Sequence, residues 1–146
     1  MHTVSEEGKY IKGLFSNSCL TGVISGLFAS LGCYIFNMKA YKTFGEKAIT
    51  YIGPIMEELL KTGLALAFGG SVFFSHMVFG VIEGLNDFFA NQGASAYYSG
   101  ILGVVSHGIF GIITCWGMNC FPNFIEGIVP ALFLHILWNH LVMWIN

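Results

Sequence analysis

Between Ala48 and Phe68 the chain is mostly apolar, yet at its centre stand Glu57, Glu58 and Lys61. A charged side chain inside such a run costs roughly 2.5–3.5 kcal/mol on membrane-insertion scales. A chain carrying three of them there has to find them partners on other segments, and few folds allow that. Helical spacing puts Glu57 and Lys61 on one face, at i and i+4. The partners are to be sought in the later apolar runs, each of which carries polar residues near its middle.

Composition points to lipid as the solvent. Hydrophobic residues make up 55% and charged residues only 10% of the chain, where a soluble domain carries about 25% charge. With 146 residues there is room for one domain, spanning 1–146. There is no Arg, the net charge is -2 and no basic stripe exists, so nucleic acid is excluded as a partner. Cys19, Cys33, Cys115 and Cys120 lack metal-knuckle spacing and read as small core residues.

The apolar runs are 18–38, 48–70, 71–90, 97–119 and 124–145. Each is close to the length needed to cross a bilayer, which predicts an all-α, polytopic membrane helix bundle of about five transmembrane helices. Residues 1–17 are polar and of mixed charge and are expected at the interface. Gly22 and Gly26 form a GxxxG step suited to close helix packing. Lys39, Lys42 and Lys47 make the stretch between the first two runs basic, and Tyr34, Tyr41 and Tyr51 flank it as an interfacial belt. That loop is expected to face the cytoplasm. Pro54 either kinks the second helix or sits in its first turn. Residues 91–96 are expected as a polar loop.

At about 1.5 Å per residue, measured from the basic-loop face, Glu57 lies ~14 Å deep, Glu83 ~11 Å, and His107 and His135 ~15 Å each. Four consecutive helices therefore present polar groups at one level. The first run offers that level nothing polar beyond Ser and Thr, and is expected to be a peripheral brace.

In chain order the polar groups read EExxK (Glu57, Glu58, Lys61), FxxxE (Phe79, Glu83), HxxxG (His107, Gly111) and HxxxN (His135, Asn139). This ordered set resembles the PrsW-type intramembrane proteases, within the wider superfamily of CAAX prenyl endopeptidases and bacteriocin-processing proteins. The resemblance covers residues 51–140, which would form the catalytic core. It implies a multi-pass protein of a prokaryotic cytoplasmic membrane. It also implies hydrolysis of a peptide bond in a transmembrane or membrane-proximal substrate such as an anti-sigma factor. By analogy Glu57 would be the general base and Glu58 would orient it. Lys61 would neutralise the pair as a structural ion partner. His107 and His135 would hold the water or ligate a metal. Asn139 and one His would supply oxyanion donors, and Glu83 would orient a His or act as a third ligand. A metal-free mechanism is preferred, because no HExxH motif is present. The alternative is zinc on His107, His135 and Glu83, since two His and a carboxylate suffice for a catalytic site.

The competing reading of each group is structural, because buried polar groups also fix helix register. His76 is read as structural, His140 as turned away, and Asn86 and Asp87 as solvated near the interface. Two other functions compete with proteolysis. One is a proton or cation transport site, and the other a non-catalytic binding or immunity protein of the same fold. The oligomeric state is not legible in the sequence.

Overall fold

The computed structural model describes residues 18–145, so the expected interfacial segment 1–17 lies outside the described residues. Every element among the described residues is helical. Helix α1 spans Cys19–Phe44, α2 Gly53–Ala67, α3 Val72–Ala90, α4 Gly93–Cys120 and α5 Phe124–Ile145. A π-helical turn, Ala48–Ile52, leads directly into α2.

Helix α1 lays small residues along one face, and Gly22, Ser25, Gly26, Ala29, Ser30 and Cys33 are buried there. A Cβ on Gly22 would stand 2.6 Å from the Ser71 carbonyl oxygen. Glycine at this step therefore lets α1 touch the backbone at the start of α3, as the GxxxG spacing predicted. The helix ends at Gly45, whose φ of 58° is left-handed backbone open to glycine. The basic stretch, expected as a loop, is thus helical as far as Phe44, turns at Gly45 alone and is helical again from Glu46.

Pro54 stands in the first turn of α2, but the chain neither stops nor merely kinks there. The Gly53 N–H reaches back five residues to the Ala48 carbonyl. A proline ring crowds the carbonyl four residues before it, here that of Thr50, and the wider turn relieves that contact. Helix α3 is capped by Ser71, whose hydroxyl accepts from the Phe74 N–H at 3.4 Å. Helix α4 begins at Gly93, so the expected loop 91–96 is two residues long. At the start of α5 the Asn123 side chain accepts from the Glu126 N–H at 2.9 Å and donates to the Glu126 carboxylate at 2.6 Å. The Asn123 side chain thus satisfies one first-turn N–H and holds the Glu126 carboxylate beside it.

Helices α2, α3, α4 and α5 pack in a ring: α2 on α3, α3 on α4, α4 on α5, and α5 on α2. Helix α1 lies outside, against α2 and α3. The α3–α4 seam is made by glycine, since a Cβ on Gly84 would collide with the Gly100 carbonyl oxygen. Gly84→Val is expected to cost about 1–3 kcal/mol through this overpacking. The check is thermal unfolding in detergent against Leu85→Val, a substitution on the exposed side of the same helix. Equal melting of the two variants would remove the seam from the account.

The burial pattern is inverted relative to a soluble domain. The largest wholly buried side chains are Lys61, His76, His107, His135 and Glu58, while Leu20, Phe89, Tyr98 and Trp144 are exposed by more than 60%. An apolar outer surface around a polar interior suits lipid and not water. Three helices, Cys19–Phe44, Gly93–Cys120 and Phe124–Trp144, are long and apolar enough to cross a bilayer. The protein is a membrane protein with transmembrane helices. Helix α2 has 15 residues and carries Glu57, Glu58 and Lys61, and α3 has 19 and carries Glu83 and Asp87.

Candidate active site

The ring encloses the charged groups, and each helix delivers its share by spacing. On α2, Glu57, Glu58 and Lys61 all lie on the inner side, with Glu58 and Lys61 wholly buried. The Lys61 ammonium donates to Glu58 Oε1 at 2.7 Å and to His107 Nδ1 on α4 at 3.0 Å. It also stands 4.7 Å from the centroid of the Phe79 ring on α3. An ammonium can only donate. His107 Nδ1 is therefore the acceptor, and its Nε2–H is left to donate to Glu83 Oε2, with which it makes a short contact.

His135 on α5 sits between the two adjacent glutamates. Its Nδ1 lies 2.9 Å from Glu58 Oε1 and its Nε2 lies 3.5 Å from Glu57 Oε2. A carboxylate accepts, so Nδ1 carries a proton, and Nε2 is the atom that faces Glu57. The ring is stacked on Phe110, with centroids 4.7 Å apart. Glu57 is held from its other side, where the Asn37 amide on α1 donates to Oε1 at 2.9 Å. Glu57 Oε2 is buried and has no hydrogen-bond partner among the described residues. At 3.5 Å the contact with His135 is longer than an ordinary N–H···O bond. Two lone pairs facing each other repel, and a proton on either atom turns the contact attractive.

The structure thus brings together Glu57, Glu58, Lys61, Glu83, His107 and His135. Asn139 lies nearer the basic-loop end, where its amide donates to the Ile49 carbonyl at 3.0 Å and ties α5 to the π-helical turn. His140 is exposed. His76 is wholly buried behind the cluster, 3.2 Å from the Thr62 hydroxyl and 3.8 Å from Glu58 Oε2. A Cβ on Gly111 would stand 2.8 Å from the His76 Cβ, so the glycine of HxxxG admits α3 at this point.

One correction follows. Helix α1 is more than an outer brace with only Ser and Thr to offer, because Asn37 bonds directly to Glu57. The one amide inside the first apolar run was the signal for it. His76, read as structural, is wholly buried, shares a face with Glu83 at i,i+7 and packs behind the cluster, which is compatible with that reading.

A cavity of about 560 Å³ opens between α3, α4, α5 and the π-helical turn, at the basic-loop end. Asn91, Ser95 and Tyr98 line its outer part and are exposed, while His107 and His135 close its inner end and are buried. Glu83 and Asn139 line it as well, and Glu57 lies beyond His135.

Whether the cluster fits a metal depends on which atoms are open. Among the described residues the group that converges closely enough is Glu57, His107 and His135, with ligand atoms within 4.8 Å of one another. It differs from the expected His107, His135 and Glu83 set, because the Glu83 carboxylate lies on His107 Nε2. Both nitrogens of His107 are engaged, by Lys61 and by Glu83. That leaves two open donors, Glu57 Oε2 and His135 Nε2, where a catalytic zinc takes three protein ligands. A cation would also sit beside the Lys61 ammonium. The residues as arranged do not fit zinc.

No protein-family model, curated protein or solved structure matches this chain.

Proposed function

We propose that the chain is an intramembrane endopeptidase of the PrsW type, a five-pass protein of a prokaryotic cytoplasmic membrane acting without a metal. The observation that carries this reading is the unpartnered, buried Glu57 Oε2 facing the Nε2 of a histidine that Glu58 holds by its other nitrogen. A carboxylate and an oriented imidazole meeting behind a cavity are the parts that acid–base hydrolysis needs.

In this mechanism a water entering past His135 gives its proton to Glu57 while its oxygen adds to the carbonyl carbon of the substrate. The Glu57–His135 pair then delivers that proton to the departing amide nitrogen as the C–N bond breaks. Glu58 keeps the imidazole in one tautomer, and Asn37 turns the free oxygen of Glu57 toward it. His107 and Asn139 line the cavity and are the nearest N–H donors to a developing oxyanion. Each would loosen its present partner, Glu83 or the Ile49 carbonyl, on substrate binding.

A second reading is supported by the continuity of the network. Glu83, His107, Lys61, Glu58, His135 and Glu57 form one chain of contacts between titratable groups. Such a chain, lying at one depth, suits a proton or cation transport site.

The test is expression of wild type and Glu57→Gln at matched levels, followed by mass spectrometry of new peptide N-termini in the membrane fraction. Cleavages found with wild type alone, and persisting with a chelator present, are the expected result. Identical N-termini from two folded, inserted proteins would remove the protease reading. Proton flux in vesicles lost with Glu57→Gln would then favour transport, and no effect in either assay a binding protein.

A further inference from the structure

The cavity leads to His107 and His135 from one end only. Behind them Glu58, Lys61, Thr62 and His76 are wholly buried, so the space closes there. Neighbouring packed helices stand about 8–10 Å apart, which puts the middle of a four-membered ring ~6–7 Å from each axis. A fifth helix cannot enter at that spacing, whereas an unwound chain can. From Ser95 to His107 is about 18 Å along α4, which is the length of about five extended residues.

The walls are unlike one another. On the α5 side the outer wall is apolar, with Leu141, Val142 and Met143, and carries no charged residue above His135. On the α3 side they carry the cavity's two carboxylates, Glu83 and Asp87. Glu83 is engaged by His107. Asp87 is free to take a partner: Asn91 donates to its main-chain carbonyl at 2.8 Å and not to its carboxylate. No Lys or His pairs with that carboxylate among the described residues. The exposed lysines at this end of the molecule, Lys39, Lys42 and Lys47, do not line the cavity.

We infer that the cavity takes its substrate from the basic-loop end as an unwound, membrane-proximal segment, and that Asp87 selects a Lys or Arg side chain near the bond to be cut. The inference rests on the endopeptidase reading above. Its register follows from the helix. Asp87 is one turn, ~6 Å, nearer the mouth than Glu83, which contacts His107. At about 3.3 Å per extended residue, the cationic side chain falls about two residues from the cut bond.

Two experiments test this. In the N-terminal peptide comparison, the Glu57-dependent cleavages are expected to show Lys or Arg at one fixed offset of about two residues. The sites should lie just outside predicted transmembrane spans, and Asp87→Asn should remove the offset. Glu57-dependent cleavages with no such offset, or with the offset kept in Asp87→Asn, overturn the inference and leave the protease reading intact. Absence of any Glu57-dependent cleavage overturns both.

The second experiment needs no substrate. A cysteine at Ser99→Cys, on the cavity wall, is treated with a cationic and an anionic thiosulfonate of matched size, with wild-type labelling subtracted. A cleft of one sign speeds the matching ion by about tenfold or more. The cationic reagent is expected to lead by that factor, and Asp87→Asn to reduce the lead. Equal rates for the two reagents in Ser99→Cys would overturn charge selection at Asp87 whatever the enzyme cuts.

Discussion

Lys61→Met is expected to lower stability by about 3–5 kcal/mol, the usual result of removing one partner from a buried ion pair. Lys61 is wholly buried and serves three groups at once: Glu58 at 2.7 Å, His107 at 3.0 Å and the face of Phe79 at 4.7 Å. Methionine replaces the packing of its stem, so the loss isolates the ammonium. Without it the Glu58 carboxylate keeps His135 as its one close donor, and His107 Nδ1 has none. Denaturation followed by intrinsic Trp fluorescence in detergent reads the loss. The double variant Glu58→Gln/Lys61→Met should recover part of it. Removing the uncompensated charge lifts most of the penalty, and the glutamine carbonyl still accepts from His135. A single variant as stable as wild type would mean that the ammonium contributes nothing to the fold. A double variant that is no better than the single would mean that charge is not the cause.

How much of this was legible in the sequence differs from residue to residue. The apolar runs located all five helices, because alternation of lipid-facing and buried groups needs only local spacing. That Glu57, Glu58, Lys61, Glu83, His107 and His135 meet followed from equal depths, with no knowledge of which helices touch. Asn37 escaped for a reason of length. The first run was ended at Met38, whereas α1 continues to Phe44. Six further residues move Asn37 inward by about 9 Å, from the expected interface to the level of Glu57. His76 escaped because its contacts with Thr62 and Glu58 depend on how α3 leans on α2, which periodicity does not contain. Pro54 offered two local solutions, and the chain takes the second: the proline stands in the first turn of α2, with the short π-helical turn before it. The metal set could not be settled by spacing, since spacing does not tell which imidazole nitrogen is already taken. The same limit applies to Asn139. Its position on the inner side of α5 was readable, and its bond to the Ile49 carbonyl was not.

If Glu57 and His135 act as one unit, Glu57→Gln and His135→Gln should each lower the cleavage rate by about 10²–10⁴-fold, the range for general acid–base groups. The double variant should then lose no more than the worse single one. Groups that share one proton are non-additive, since removing either leaves the other without its task. The geometry motivates the pairing: Oε2 of Glu57 and Nε2 of His135 are 3.5 Å apart, and each has its second polar atom held, by Asn37 and by Glu58. Asn37→Leu supplies the control for positioning. It touches Glu57 through Oε1 alone, so it should slow cleavage less than Glu57→Gln does. In a Glu57→Gln background it should add nothing, because the group it aims is no longer a base. The measurement is the initial rate on one synthetic peptide taken from the mapped cleavage sites, with folded protein quantified in each preparation. Multiplicative losses in the Glu57→Gln/His135→Gln double would show that the two residues work separately. His135 would then be a packing residue against Phe110 and Glu58, and the base would have Glu57 alone.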